Sequence, residues 1–210
     1  MITRTALLLT VAVIGLAAHD ELPDLRIGDP LPKADIRMMD VSGKEVALKE
    51  VAKKNGVLVI FSCNTCPFVV GSEGSEGWEG RYPALGELCR KNEIGFVLVN
   101  SNEAKREAGD GLGDMQKHYK DKKYNGHYTL DKGNVVADAF GARTTPHVFL
   151  FNGGLKLAYK GAIDDNVDSA KDVKERYLEK ALAAMVAGTP VEPSVTRNVG
   201  CSIKRAPHAH

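Results

Sequence analysis

Val57-Leu58-Val59-Ile60-Phe61 is an unbroken apolar run rich in β-branched residues, and Cys63-Asn64-Thr65-Cys66-Pro67 follows it after a single serine. A run this short and this apolar fits a strand buried on both faces, which needs a sheet covered by helices on each side. The proline points to a helix starting at the cysteines, because in a first helical turn its missing N–H has no intrahelical partner. A cysteine at such a junction faces unpaired N–H groups and the positive end of the helix dipole, which stabilises its thiolate. With two residues between them, Cys63 and Cys66 can close a small disulfide with little backbone movement. Zinc would want a second pair of ligands at similar spacing, and the sequence has none. Haem attachment would want histidine where Pro67 stands. A purely structural disulfide is the remaining alternative.

The rest of the chain alternates strand and helix. Ala34 to Met39 and Glu45 to Leu48, on either side of Asp40 to Lys44, predict a hairpin. Phe96 to Val99 is a second buried-strand run, and between the two runs Pro83 to Asn92 sets Leu85, Leu88 and Cys89 at helical spacing. Leu112 to Lys123 reads as a polar surface helix, His127 to Leu130 as a short strand and Val135 to Phe140 as a short helix. His147 to Phe151, the turn Asn152-Gly153-Gly154 and Leu155 to Tyr159 predict a second hairpin. Asp172 to Ala187 predicts a long helix with Val173, Tyr177, Leu178, Ala181, Leu182 and Met185 on one face. After Gly188, Pro190, Pro193 and Pro207 break any regular pattern and predict an extended or partly disordered tail. Gly71, Gly74, Gly77 and Gly80 would cost a helix about 3 to 4 kcal/mol, so the helix after Pro67 should be irregular. Glu73, Glu76 and Glu79, between those glycines, read as a solvated face.

Composition narrows the functional classes. Of the 210 residues, 43% are apolar and 26% charged, with 28 basic against 27 acidic side chains, which is globular and offers a polyanion such as nucleic acid no electrostatic footprint. Arg4, the apolar stretch Ala6 to Ala18 and the polar His19-Asp20-Glu21 read as a signal peptide cleaved after Ala17, with Ala18 nearly as suitable. The stretch is short for a bilayer span, although an uncleaved anchor or a buried first helix remains an alternative. The resulting organisation is a signal peptide at 1–17, one domain at 18–188 and a tail at 189–210, exported to a periplasmic or extracellular space and without stable membrane insertion after cleavage. Disulfides persist there.

Thr144-Thr145-Pro146 stands immediately before the strand His147 to Phe151, and a proline at a strand entrance can be cis or trans. The order strand, CxxC, helix, strand, helix, Thr-Pro, hairpin, helix resembles the thioredoxin superfamily over roughly Leu25 to Ala187. Phe61-Ser62-Cys63-Asn64-Thr65-Cys66-Pro67, Val99-Asn100-Ser101-Asn102, Thr145-Pro146-His147, Gly161-Ala162-Ile163-Asp164-Asp165-Asn166 and Gly200-Cys201-Ser202-Ile203-Lys204 resemble the exported redoxins related to the AhpC/TSA domain. The resemblance implies an α/β thioredoxin-like fold, with a central mixed sheet flanked by helices, an N-terminal β-hairpin extension and an extended C-terminal tail. It also implies that Cys63 attacks, that Cys66 resolves, and that Pro146, if cis, holds Thr145 for backbone pairing with an extended substrate. Ser62 replaces the tryptophan of thioredoxins and Asn64-Thr65 their Gly-Pro, and the proline and threonine that precede a peroxidatic cysteine are missing upstream of Cys63.

The function expected is thiol-disulfide exchange with protein thiols and disulfides, recharged by an unidentified electron donor, without cofactor or metal. A thiol peroxidase and a copper-binding module using Cys63, Cys66 and one histidine are the alternatives. Cys89, on the apolar helix face, reads as an inert buried thiol. Cys201 has three readings: a third redox thiol folding back on the pair, a structural partner of Cys89, or a free thiol. Asp164 and Asp165 would tune the redox site or cap the loop before the last helix. His118, His127 and His147 read as hydrogen-bonded rather than ligating.

Overall fold

The computed structural model describes residues 22–206, so the predicted signal peptide lies outside the described residues. A hairpin of β1 (Arg37–Asp40) and β2 (Glu45–Ala47) and the single turn α1 (Leu48–Val51) lead into β3 (Val57–Ser62). Next come α2 (Pro67–Val70), α3 (Tyr82–Lys91), β4 (Gly95–Asn100), α4 (Leu112–Asp121), β5 (His127–Leu130) and α5 (Val135–Phe140). The two-residue β6 (Thr144–Thr145) precedes the hairpin of β7 (His147–Phe151) and β8 (Leu157–Gly161), and α6 (Tyr177–Ala187) and the two-residue β9 (Cys201–Ser202) follow. Seven strands form one sheet in the order β2-β1-β5-β4-β3-β7-β8, and β6 pairs with β9 apart from it. β3 runs parallel to β4 and antiparallel to β7, so the sheet is mixed and the CxxC strand lies inside it. This is the thioredoxin-like α/β fold, with the N-terminal hairpin extending the sheet past β5.

Alternation along β3 divides the core in two. Leu58 and Ile60 face a cluster with Tyr82 and Leu85 of α3 and Leu178 and Leu182 of α6. Val57, Val59 and Phe61 face Leu48 and Val51 of α1 and Val136 and Phe140 of α5. All six residues of β3 and of β4 are buried, as a two-faced sheet demands. Phe61 meets Phe140 and Phe149 edge to face, with centroids 5.2 and 5.7 Å apart. At the start of β3, Gly56 takes a φ of 115°, and a Cβ there would stand 1.9 Å from the Phe151 carbonyl oxygen, so glycine alone lets β3 begin alongside β7.

Two local expectations need correcting. The last helix starts at Tyr177, not Asp172. The Asp165 carboxylate accepts hydrogen bonds from the N–H groups of Lys174 and Glu175, at 3.0 and 3.1 Å, and its own N–H donates to the Glu175 carbonyl, holding that stretch as a loop. Asp165 thus serves the loop before the helix. Glu79 is not part of a solvated face but is buried, bonded by Tyr124 Oη (3.0 Å), His118 Nε2 (2.6 Å) and Lys122. Its α-helical neighbours bring the partners that sequence spacing does not show. The tail over 189–206 follows the extended reading: Lys160 N–H donates to the Ser194 carbonyl, Thr196 N–H donates to the Lys160 carbonyl, and Ile203 is buried in the second core cluster. The glycine-rich stretch behaves as expected, since α2 stops after Val70 and Gly71, Gly74 and Gly77 all take positive φ.

Removing the Phe61 ring should cost about 3–5 kcal/mol. Urea unfolding of Phe61→Ala should show this as a lowered midpoint with an unchanged slope, whereas a wild-type midpoint would place the aromatic cluster outside the cooperative core.

Candidate active site

Where β3 leaves the sheet, Ser62 Oγ and Tyr82 Oη share a hydrogen bond of 3.0 Å. The next four residues turn across a buried polar cluster organised by Asp110. Its carboxylate accepts from Asn64 N–H (2.7 Å), Thr65 Oγ1 (2.7 Å), Asn100 Nδ2 (2.8 Å) and Asn102 Nδ2 (3.0 Å). Asn64 is further fixed by the Gly109 carbonyl, which accepts from its Nδ2, and by Tyr128 Oη, which donates to its Oδ1. Both residues between the cysteines are therefore tied to one carboxylate. That carboxylate lies in the loop just before α4, far along the chain from the motif.

Cys66 is the N-cap of α2, and its carbonyl accepts from Val69 and Val70 N–H. This corrects the expected placement: the helix begins at Pro67, so Cys63 lies four residues ahead of it, and Cys66 is the cysteine at the junction. Both thiols are nearly closed off from solvent, 1% and 3% exposed. The Thr145–Pro146 bond is cis. Thr145 touches both sulfurs: its Oγ1 lies 3.3 Å from Cys63 Sγ, and its carbonyl accepts from Cys66 Sγ at 3.1 Å.

Hydrogen bonding between the two thiols splits their ionisations. The Cys63 thiol donating to Cys66 lowers the latter from the ordinary 9.0 to about 5 despite burial, with help from Cys201 and Thr145. Sharing that hydrogen bond, burial and the nearby Asp110 carboxylate push Cys63 far above the ordinary range. The reduced pair thus releases one proton readily and keeps the second.

Cys201 belongs to the same place. β9 pairs antiparallel with β6, with Thr145 opposite Cys201 and Thr144 opposite Ser202. The half-buried Cys201 thiol interacts with the Cys66 sulfur, and burial together with that neighbour pushes it up to about 11. Cys63, Cys66, Thr145, Pro146 and Cys201 therefore converge. Cys89 does not join them: it lies wholly buried on α3, feels Lys53 near the start of β3, and is pushed up to about 12 by burial. Asp164 also stands apart from the sulfurs, accepting from Trp78 Nε1 (2.6 Å) and Arg81 Nε (3.3 Å). His147 is buried and receives the Arg143 N–H, and its pKa falls to about 3 through loss of solvation. Among the described residues, no group of three or more His, Cys, Asp or Glu side chains is arranged to hold a metal ion.

The redoxin family model matches residues 26–175, which contain β1 to β8, the CxxC motif and the cis-proline. The chain belongs to the redoxin family. No curated protein matches it by sequence. Among solved structures, this redoxin is similar to an uncharacterized conserved protein from Geobacillus kaustophilus, with 29% identity, a TM-score of 0.78, and coverage of 90% of this chain and 96% of the other. A hypothetical protein from Sinorhizobium meliloti 1021 gives 28% identity and a TM-score of 0.74, covering 88% and 97%. A putative thiol:disulfide interchange protein DsbE from Chlorobium tepidum shares the fold, at 17% identity and a TM-score of 0.57, covering 78% and 99%. The family match and the shared fold make the chain a thioredoxin-like redoxin.

The residue that sequence reasoning missed is Asp110. The signal available was Asn100-Ser101-Asn102 at the end of a buried strand, since buried amides require an acceptor, but the sequence does not say which carboxylate supplies it. Asp110→Ala should leave the buried Asn100 and Asn102 amides, and the part-buried Asn64 N–H and Thr65 hydroxyl, without that acceptor. At about 1–3 kcal/mol for each buried group left unsatisfied, thermal unfolding should fall sharply, and a near wild-type melting temperature would show that the cluster does not hold the motif. Thiolate absorbance of the reduced protein should rise as pH passes upward through about 5, by one sulfur for the pair. Absorbance that first appears near the ordinary thiol value of 9.0 would contradict the shared hydrogen bond.

Proposed function

We propose that this redoxin is an exported thiol-disulfide oxidoreductase in which Cys63 and Cys66 exchange disulfides with protein partners. The observation that carries the reading is the contact of one residue, Thr145 beside the cis-proline, with both sulfurs of the CxxC pair. The proton shared between the sulfurs lets the negative charge stand on either. On Cys63 it would be met by the Thr145 hydroxyl and the Thr65 N–H. A Cys63 thiolate attacks one sulfur of a partner disulfide, forming a mixed disulfide while the partner's other sulfur leaves as a thiolate. Cys66 then attacks Cys63 Sγ, closes the Cys63–Cys66 bond and releases the partner's second sulfur. The partner gains two electrons and the pair loses two, which an electron donor must restore.

Export rests on Arg4 and the apolar Ala6 to Ala18 segment. The domain then spans 18–188 and the tail 189–210. Among the described residues no helix is long and apolar enough to cross a membrane.

Two variants test the division of labour. Cys63→Ser should abolish insulin reduction, and Cys66→Ser should accumulate mixed disulfides with protein substrates. Full insulin-reducing activity in Cys63→Ser, or trapping by that variant alone, would overturn the assignment.

A further inference from the structure

The backbone of Thr145, which the exchange reading reserves for an extended substrate, is already paired in this protein. Its partner is the chain's own β9, antiparallel and with a cysteine directly opposite Thr145. The pairing is built in on both sides of that cysteine. Before it, Asn198 Nδ2 donates to Thr144 Oγ1 at 2.6 Å, and Gly200 comes so close that a Cβ would stand 2.3 Å from the Thr145 carbonyl oxygen. After it, Ile203 N–H donates to the Arg143 carbonyl, Lys204 N–H to Asn102 Oδ1, and Arg205 Nε to Asp138 Oδ1 at 2.7 Å. A strand that adds to an exposed edge and presents a chosen side chain is the general form of extended-peptide recognition. Here the presented side chain is a thiol, and it packs against the buried cluster that holds Cys63 and Cys66.

Cys66 is consequently the sulfur that ties the motif to the tail. Its thiol donates to the Thr145 carbonyl at 3.1 Å, Thr145 stands directly opposite Cys201, and Cys201 packs against the buried cluster that holds Cys63 and Cys66. Nearness of this kind is what thiol-disulfide exchange needs, because attack passes through a mixed disulfide between neighbouring sulfurs.

We propose that Cys201 is the internal exchange partner of the redox pair and that β9 is a resident substrate strand. The proposal rests on the exchange reading, which supplies the Cys63–Cys66 disulfide through reaction with a partner disulfide. The Cys201 thiolate attacks Sγ of Cys66. The Cys66–Cys201 bond forms, the Cys63–Cys66 bond breaks, and Cys63 leaves with the electron pair and takes up the proton that Cys201 gave. No electrons enter or leave the chain. The product has a free Cys63 and a tail covalently fixed over β6, where an external peptide would have to pair. A dithiol reductant that gives up two electrons and closes its own disulfide restores the Cys66 and Cys201 thiols and frees the tail. The oxidised redoxin therefore protects its own substrate edge, and only the reduced form, with β9 held by noncovalent contacts alone, can exchange it for a partner strand.

Trypsin cleavage separates the sulfurs conveniently, since Cys63 and Cys66 share the peptide 55–81 and Cys201 lies in 198–204. The full chain is oxidised with diamide and left to equilibrate at mildly alkaline pH. It is then acid-quenched, blocked with N-ethylmaleimide and mapped by mass spectrometry without reduction. The wild type should yield the joined peptides 55–81 and 198–204 with the block on Cys63. Cys63→Ala should convert all its oxidised protein to that joined form, and Cys66→Ala should lose it. A wild type that forms the Cys63–Cys66 bond and reduces insulin, but keeps Cys201 fully blocked, overturns the inference and leaves the exchange reading standing. Joined peptides retained undiminished in Cys66→Ala likewise overturn it. A wild type that forms no disulfide at all and reduces no insulin overturns both.

Discussion

Burial of β3 on both faces is the constraint on which the rest of this structure depends. Its alternate residues supply the centre of two separate cores, one closed by α3 and α6 and the other by α1 and α5. A strand in that position cannot slip by one residue without exchanging the two sets of side chains. Hydrogen bonding to β4 on one side and β7 on the other locks the register further. The chain must therefore emerge at Ser62 in one place and one direction, and the thiols follow at a fixed distance from the end of the strand. β7 is pinned by the same strand, which brings the cis-proline immediately before β7 to the point where the cysteines leave β3.

The motif loop is governed by a different force. Asp110, fully buried, satisfies donors from both residues between the cysteines and from two asparagines at the end of β4. A carboxylate so placed costs desolvation and recovers it through charge-assisted hydrogen bonds. It also sets a negative charge beside the thiols, opposing a second negative charge on Cys63. The cluster thus fixes the loop geometry and at the same time keeps the pair from ionising fully. Packing locates the sulfurs, and this cluster adds to the resistance of Cys63 to ionisation.

The parts of the molecule legible in the sequence are those written in local pattern. The apolar run at 57–61, the helical spacing of Leu85 and Cys89, and the hairpin turn at 152–154 all appear as elements near their expected places. The start of α6 did not, because the apolar face of Asp172 to Ala187 continues past the point where the Asp165 side chain takes the backbone N–H groups a helix would need capped. Glu79 looked solvated among glycines because its partners sit on α4 and just beyond it. In the site, Cys63, Cys66 and the Thr145-Pro146 step were visible as motifs. Asp110 and the seat of Cys201 depend on long-range contacts that no spacing rule encodes.

The pairing of β9 with β6 also bears on how the molecule is made. Synthesis runs from the first residue to the last, and domains generally fold as units as the chain emerges. The CxxC loop, the cis-proline and all seven strands of the main sheet are present by Gly161, yet the edge at Thr144–Thr145 gains its partner only with Cys201 and Ser202. Between the synthesis of Gly161 and that of Cys201 the chain carries a complete sheet and an open strand edge beside two thiols, the kind of edge that captures passing extended segments. Cys201 and Ser202 close it, so a stretch made about forty residues after the sheet is complete ends that edge's exposure to unwanted pairing.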